Sequence, residues 1–333
     1  MRKLHFVGTM PQFATAKAAL SWELDEIAEH LDRVHGGETG PRSQWFVPVV
    51  KELKRLPQVV TVRSGDWTDY DDVDRLKVPL RARLRPEGVP LRFAEHALEE
   101  LEVLGELGAA LPLQVGVPGY LDLALFTFGP TGVVRHGRTF LRAVAEELSR
   151  IRAASDNVVF QLEVPAALIA VLSAPAPLRP LMADTMARFV TAQVRSAPEG
   201  SRFGVHLCLG DMGHKALKQL KDTDPLVLLA NALVRRWPAG RTLEFVHLPM
   251  SGGDVPPTTK PEFYAPLRKL LPCVRVIAGI AHEEQSYEDQ LVVRGLVEEA
   301  LGRPVDIATS CGLGRRTPEA AERATKSMLA LLG

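Results

Sequence analysis

Cysteine, net charge and long apolar runs are all scarce in this sequence, and each scarcity excludes something. Three cysteines in 333 residues, Cys208, Cys273 and Cys311, make a poor disulfide framework and read instead as core, metal or nucleophile residues. Cys273, at the start of a strand, reads as structural. The 40 basic and 40 acidic side chains cancel, which argues against nucleic acid or an anionic membrane as the main partner. No run approaches the roughly 18 apolar residues that span a bilayer. The longest candidate, 166–178, is broken by Ser173, Pro175 and Pro177. In the opening MRKLHFVGTMPQF, Gly8, Pro11 and Gln12 interrupt any apolar leader segment, so the expectation is a soluble, cytoplasmic protein.

What is present is an alternation of short β-branched runs with amphipathic helical stretches, the pattern of a parallel α/β fold. Strands are expected at 4–9, near His35, and at 112–117, 158–164, 202–209, 242–249, 274–282 and 305–311. Helices are expected at 94–107, 139–153, 180–195, 225–236, 287–301 and 318–332. Eight strands with helices between them predict a single (β/α)8 TIM-type barrel over 1–333, with an open doubly wound sheet as the competitor. Residues 57–92, containing RSGDWTDYDDVDRL, read as an insertion after strand two, and 251–263 as a surface loop.

The reactive side chains fall at the ends of these strands: Gly8-Thr9, Glu38, Glu163, His206, Cys208, His247, His282 and Cys311. In a barrel those ends form one rim, where active sites of this fold are built. In VHLCLGD, residues i and i+2 of a strand share a face, so His206 and Cys208 can grip one ion, with Cys311 facing them across the mouth. Imidazole and thiolate together suit Zn²⁺. The competing reading is two small buried cysteines and a satisfied core histidine. Glu38, in HGGETGPR, has glycines that admit a ligand close to the backbone. Glu163, inside the apolar FQLEVP, needs a cation, a ligand amine or an arginine. His282 is a candidate acid or base, and Asp211, also taken as catalytic, lies with His214 just beyond Cys208, where the two can orient His206. CGLGRR offers Arg315 and Arg316 for a carboxylate or phosphate.

In order along the chain, VGTMPQF, HGGETGPRSQWF, VGVPGYLDLALFTF, FQLEVP, HLC and SCGLGRR resemble motifs of the catalytic barrel of cobalamin-independent methionine synthase. The set looks closer still to the shorter, single-barrel methionine-synthase-like and uroporphyrinogen-decarboxylase-like relatives. The resemblance implies one zinc ion per chain held by His206, Cys208 and Cys311, with His247 as the fourth ligand or Glu244 as its alternative. It also implies an amino-acid substrate held through its amine by Glu38 and Glu163 and by backbone near Gly8 and Thr9, with Phe126 at an aromatic position and His282 as the acid–base group. Departures from the family pattern are Glu163 for an aspartate, Val164 for the carboxylate that follows it, Phe126 for a tryptophan and His247 for a glutamate.

The expected activity is zinc-dependent alkyl, above all methyl, transfer to a small thiol or selenol, the donor being a folate, a corrinoid-borne methyl on a partner corrinoid protein, or a small methylated compound. The rivals are a metal-free lyase or decarboxylase anchored by Arg315 or Arg316, and a non-catalytic binding relative.

Overall fold

The computed structural model describes residues 1–333. Nine strands form in chain order: β1 (Val34–His35), β2 (Val60–Arg63), β3 (Arg75–Lys77), β4 (Leu113–Pro118), β5 (Val158–Glu163), β6 (Arg202–His206), β7 (Thr242–Pro249), β8 (Val276–Ala281) and β9 (Asp306–Thr309), with eleven α-helices among them. Seven strands make one curled sheet, ordered β1-β4-β5-β6-β7-β8-β9 and parallel throughout. Every residue of β4, β5 and β8 is buried, as expected of strands covered on both faces, which read as apolar runs without alternation.

The helices between the strands are set by local chemistry. The helix Tyr287–Leu301 occupies the expected bounds: Ser286 caps its first turn by accepting from Asp289 N, and Gly302, at φ +68°, ends it in the left-handed region. The expected helix near 139–153 begins earlier, at Pro130, and runs to Ala154, proline being favourable in a first turn. Five helices were not expected: Ala16–Glu26, Val47–Leu53, Tyr120–Phe128, Pro165–Ser173 and the single turn Pro261–Tyr264.

The expected first strand, 4–9, is reduced to one parallel bridge, Leu4 to Ile307. His5 N donates to Ile307 O and Ile307 N to Lys3 O at 2.9 Å each, so this segment lies against β9. On its other side the backbone meets the chain flanking β1 at two points, Leu4 N to His30 O (2.8 Å) and Met10 N to Gly37 O (2.9 Å). Between them side chains take up the carbonyls: Gln114 Nε2 donates to Phe6 O (2.8 Å) and Gln161 Nε2 to Val7 O (2.5 Å). The sheet is therefore barrel-like, with seven laddered strands and an extended segment in the eighth place. Inside the curl, Val7, Val159, Phe245, Ile277 and Ala308 form an apolar layer separate from the main core. Arg33 stands over the Phe245 ring, 4.5 Å from its centroid, and reaches Glu244.

The 57–92 excursion contains the antiparallel β2–β3 hairpin. Asp74, buried beneath it, accepts from Trp67 Nε1 (3.0 Å) and Lys54 Nζ (2.9 Å). Cys273 is exposed, contrary to its reading as a structural residue. No helix is long and apolar enough to cross a membrane.

Candidate functional site

Parallel register lines up the ends of neighbouring strands. Pro118 pairs with Glu163, Glu163 with His206, and His206 with His247, so an apolar strand, a carboxylate and two imidazoles meet along one edge of the sheet. Over this edge opens a cleft of about 890 Å³, its mouth included. Of the residues singled out from sequence, Gly8, Thr9, Glu38, Phe126, Glu163, His206, Cys208, Asp211, Cys311 and Arg315 line it. His247 and His282 do not.

One corner of the cleft holds the soft donors. A ligand atom from each of His206, Cys208 and Cys311 falls within 4.8 Å of the other two. Cys208 Sγ and Cys311 Sγ are 3.8 Å apart, and Cys311 Sγ is 3.8 Å from His206 Nε2. A tetrahedral ion with Zn–S near 2.3 Å and Zn–N near 2.0 Å sets its sulfurs about 3.8 Å apart and sulfur from nitrogen about 3.5 Å, so the donor set suits zinc in kind and spacing. Both thiols are free. Gly210 N donates to Cys208 Sγ at 3.2 Å. Sharing a hydrogen bond with Cys208, together with burial, pushes the Cys311 thiol well above its ordinary range.

Neither expected fourth ligand reaches this group. The ring nitrogens of His247 are engaged behind His206, Nδ1 with His206 Nδ1 at 2.7 Å and Nε2 with Thr309 O at 3.0 Å. The Glu244 carboxylate pairs with Arg33 and Arg202. Burial holds His247 down to about 4 and His206 well below the usual imidazole range.

The opposite corner holds the carboxylates. Glu38 sits at φ +42°, a conformation that costs a non-glycine residue free energy and clusters at ligand sites. Its carboxylate and that of Glu163 converge over Gly116, where an added Cβ would lie 2.4 Å from Glu38 Oε1 and 3.0 Å from Glu163 Oε1. Only glycine leaves room for this approach. Arg42 lies 3.6 Å from Glu38 Oε1 but is committed more closely to Glu100, at 2.6 Å. Burial, offset in part by Arg42, raises the Glu38 carboxyl to about 7. Burial and the neighbouring Glu38 push Glu163 well above the usual carboxylate range.

Sequence reasoning missed the walls. Trp45, at φ +55°, stands against Phe46 and Phe126, and its buried indole nitrogen makes no well-formed hydrogen bond but lies near enough to Glu163 to favour that carboxylate's charge. Tyr70 arrives from the hairpin: its hydroxyl accepts from Met212 N and donates to Lys215 O, 3.2 Å each, latching the excursion onto the loop after Cys208. Trp45 was visible inside HGGETGPRSQWF, whereas nothing in the sequence directs Tyr70 back to the rim.

His282 is removed from the chemistry expected of it. Its Nε2 donates to Gly253 O (3.2 Å), its Nδ1 accepts from Glu284 N (3.1 Å), and burial lowers its pKa. Arg316 is likewise consumed, bonding Glu283 (2.7 Å) and Gly253 O (3.1 Å), which leaves Arg315 as the only Lys or Arg lining the cleft. Asp211 lines the cleft with Oδ1 unpartnered and lies 3.5 Å from His214 Nδ1.

No family model and no curated protein matches the chain. Solved structures do. A B12-independent methionine synthase from Shewanella sp. W3-18-1, in complex with selenomethionine, superposes with TM-score 0.63 at 17% identity, covering 95% of this chain and 86% of that one. A protein from Listeria monocytogenes assigned as a vitamin-B12-independent methionine synthase gives 0.56 at 13% identity, covering 95% and 85%. A methyltransferase from Methanosarcina mazei gives 0.53 at 12% identity, covering 100% and 94%. At these identities the likeness is one of fold, over nearly the whole of each chain: this chain is built on the fold shared by B12-independent methionine synthases and that methyltransferase.

Proposed function

We propose that this protein is a zinc-dependent methyltransferase acting on a small thiol or selenol. The observation that carries the reading is the convergence of His206, Cys208 and Cys311 in a cleft that also holds two buried carboxylates. These three residues would hold one zinc ion per chain, in a barrel whose eighth place is taken by the 3–7 segment. Bound there, the ion supplies a Lewis acid that makes a thiol a thiolate at neutral pH. The remaining work belongs to the chain. Glu38 and Glu163, which favour a proton when the cleft is empty, exchange it for the ammonium of an amino-acid substrate. Arg315 is the side chain available to the carboxylate of the same substrate. Asp211 replaces His282 as the acid–base group and receives the thiol proton. Trp45, Tyr70 and Phe126 exclude water, which strengthens every charge interaction inside.

The donor in this reading is a folate, a corrinoid-borne methyl presented by a partner corrinoid protein, or a small methylated compound, and the setting is the cytoplasm. The test is elemental analysis of protein purified without added metal or an affinity tag, followed by transfer assays pairing homocysteine and other small thiols with each donor class. About one zinc per chain and a methylated thiol product support the reading. A folded, reduced protein that neither contains nor takes up zinc overturns it and moves the assignment to a lyase anchored by Arg315.

A further inference from the structure

We propose that His247 is a positioning residue that fixes the tautomer of His206 and is not itself a metal ligand. The assignment follows from one acceptor that has no choice. Thr309 O can only accept, so His247 Nε2, 3.0 Å away, carries the proton. Neither ring pairs with a carboxylate, the polar neighbours of His247 being Thr309 O and His206 Nδ1, so nothing balances a second ring proton and its Nδ1 is a bare lone pair. His206 Nδ1 lies 2.7 Å from that lone pair and must donate to it. The proton of neutral His206 is thereby spent, and its Nε2, 3.8 Å from Cys311 Sγ, is left as a free lone pair facing the thiols. The reverse polarity would set two lone pairs against each other at Thr309.

The relay also ties two strands to one another. Thr309 Oγ1 donates to Cys311 O at 2.6 Å, so the residue that anchors His247 also fixes the backbone of Cys311. Nitrogen and sulfur donors from β6 and from the end of β9 are thus held in one frame. Gly279 keeps the relay open: a Cβ there would lie 3.1 Å from His247 Nε2 and 2.9 Å from Thr309 O, crowding the hydrogen bond between them. Outer-shell partners of this kind orient an imidazole ligand and raise its basicity. With His247 so engaged, a zinc ion held here would take three donors from this chain, His206, Cys208 and Cys311, as catalytic rather than structural zinc sites do.

This inference takes its purpose from the proposed metal site, but its test does not need the metal. In chelator-treated, reduced protein with ¹⁵N-labelled histidine, ring ¹⁵N–¹H correlation spectra at neutral pH should show His206 protonated at Nδ1 and His247 at Nε2. A His206 proton on Nε2, or a charged His247 ring, overturns the proposal whether or not the protein transfers methyl groups. On adding zinc, His206 Nε2 should take on a ligand shift while the Nε2–H of His247 persists; a ligand shift at either His247 nitrogen overturns it. Chelator competition then separates positioning from packing. His247→Leu should weaken zinc by about 10–100-fold, while His247→Asn, whose Oδ1 can accept the His206 proton, should weaken it much less. Equal losses in the two variants mean packing alone and overturn the proposal; if the leucine variant does not fold, the wild-type spectra decide.

Discussion

The two corners of the cleft are both anionic or prospectively so, yet they are finished to different degrees. In the His206–Cys208–Cys311 corner every supporting hydrogen bond is made, and the atoms left over are lone pairs directed at a common point. In the Glu38–Glu163 corner two carboxylates crowd one glycine, their arginine is committed elsewhere, and Glu100 Oε2 has no partner. The first is already arranged as a donor set, whereas the second is strained and holds its carboxyls above their ordinary range. On the proposed function, soft and hard donors would divide one mouth between an inorganic cation and an organic one.

The largest effect that can break this contrast is at the soft corner. Cys208→Ser should lose zinc by more than the roughly 10–100-fold that outer-shell changes cost, with turnover lost as well and the thermal transition largely kept. Full zinc in that variant would dissolve the distinction between the corners. Next is Glu163→Gln, which should leave zinc content unchanged and weaken an amine-bearing substrate by about 10–100-fold, the worth of one charge-assisted hydrogen bond. A matching fall in zinc would show that the two corners are one site.

Glu38 provides a pH test. Its carboxyl, raised to about 7 in the folded protein, titrates near 4.3 when unfolded. The folded state therefore binds that proton more tightly, and the associated stability is complete below about pH 4.3 and is lost as pH rises through about 7. Glu38→Gln should flatten this fall in the melting temperature of ligand-free protein; an unaltered slope would mean that Arg42 already keeps Glu38 ionised.

Smaller effects sharpen the edges of the comparison. His282→Gln should cost about 1–3 kcal/mol of stability through lost buried hydrogen bonds and leave zinc content and turnover alone. A specific loss of turnover would restore His282 as the acid. Tyr70→Phe should be smallest, about 1 kcal/mol for the latch, seen as a raised KM with kcat retained.

Most of the fold was legible because period and punctuation agree: seven of the eight expected strands form in the main sheet, and the caps at Ser286 and Gly302 mark their helix. The exceptions have physical causes. Residues 4–9 carry strand-like residues, but beside β1 their backbone bonds at Leu4 and Met10, and Gln114 and Gln161 side chains take up the carbonyls between. Tyr120–Phe128 is nearly all apolar, so its period carries no signal. At the site, spacing brought His206 and Cys208 together, but no spacing shows which ring nitrogen of His247 is already spent. The same blindness applies to His282, a strand-end histidine whose two nitrogens are both taken by backbone.

The latch from the hairpin carries a consequence for how this cleft changes over time. Tyr70 forms part of the wall, yet β2 and β3 add no strand to the main sheet. Loop segments that connect rather than support tolerate insertion and substitution far better than core strands. Mutations in 64–73 can therefore reshape what the cleft admits while the donors on β6 and beyond β9 stay where the sheet puts them. One wall of the cleft can thus vary independently of the donors beneath it.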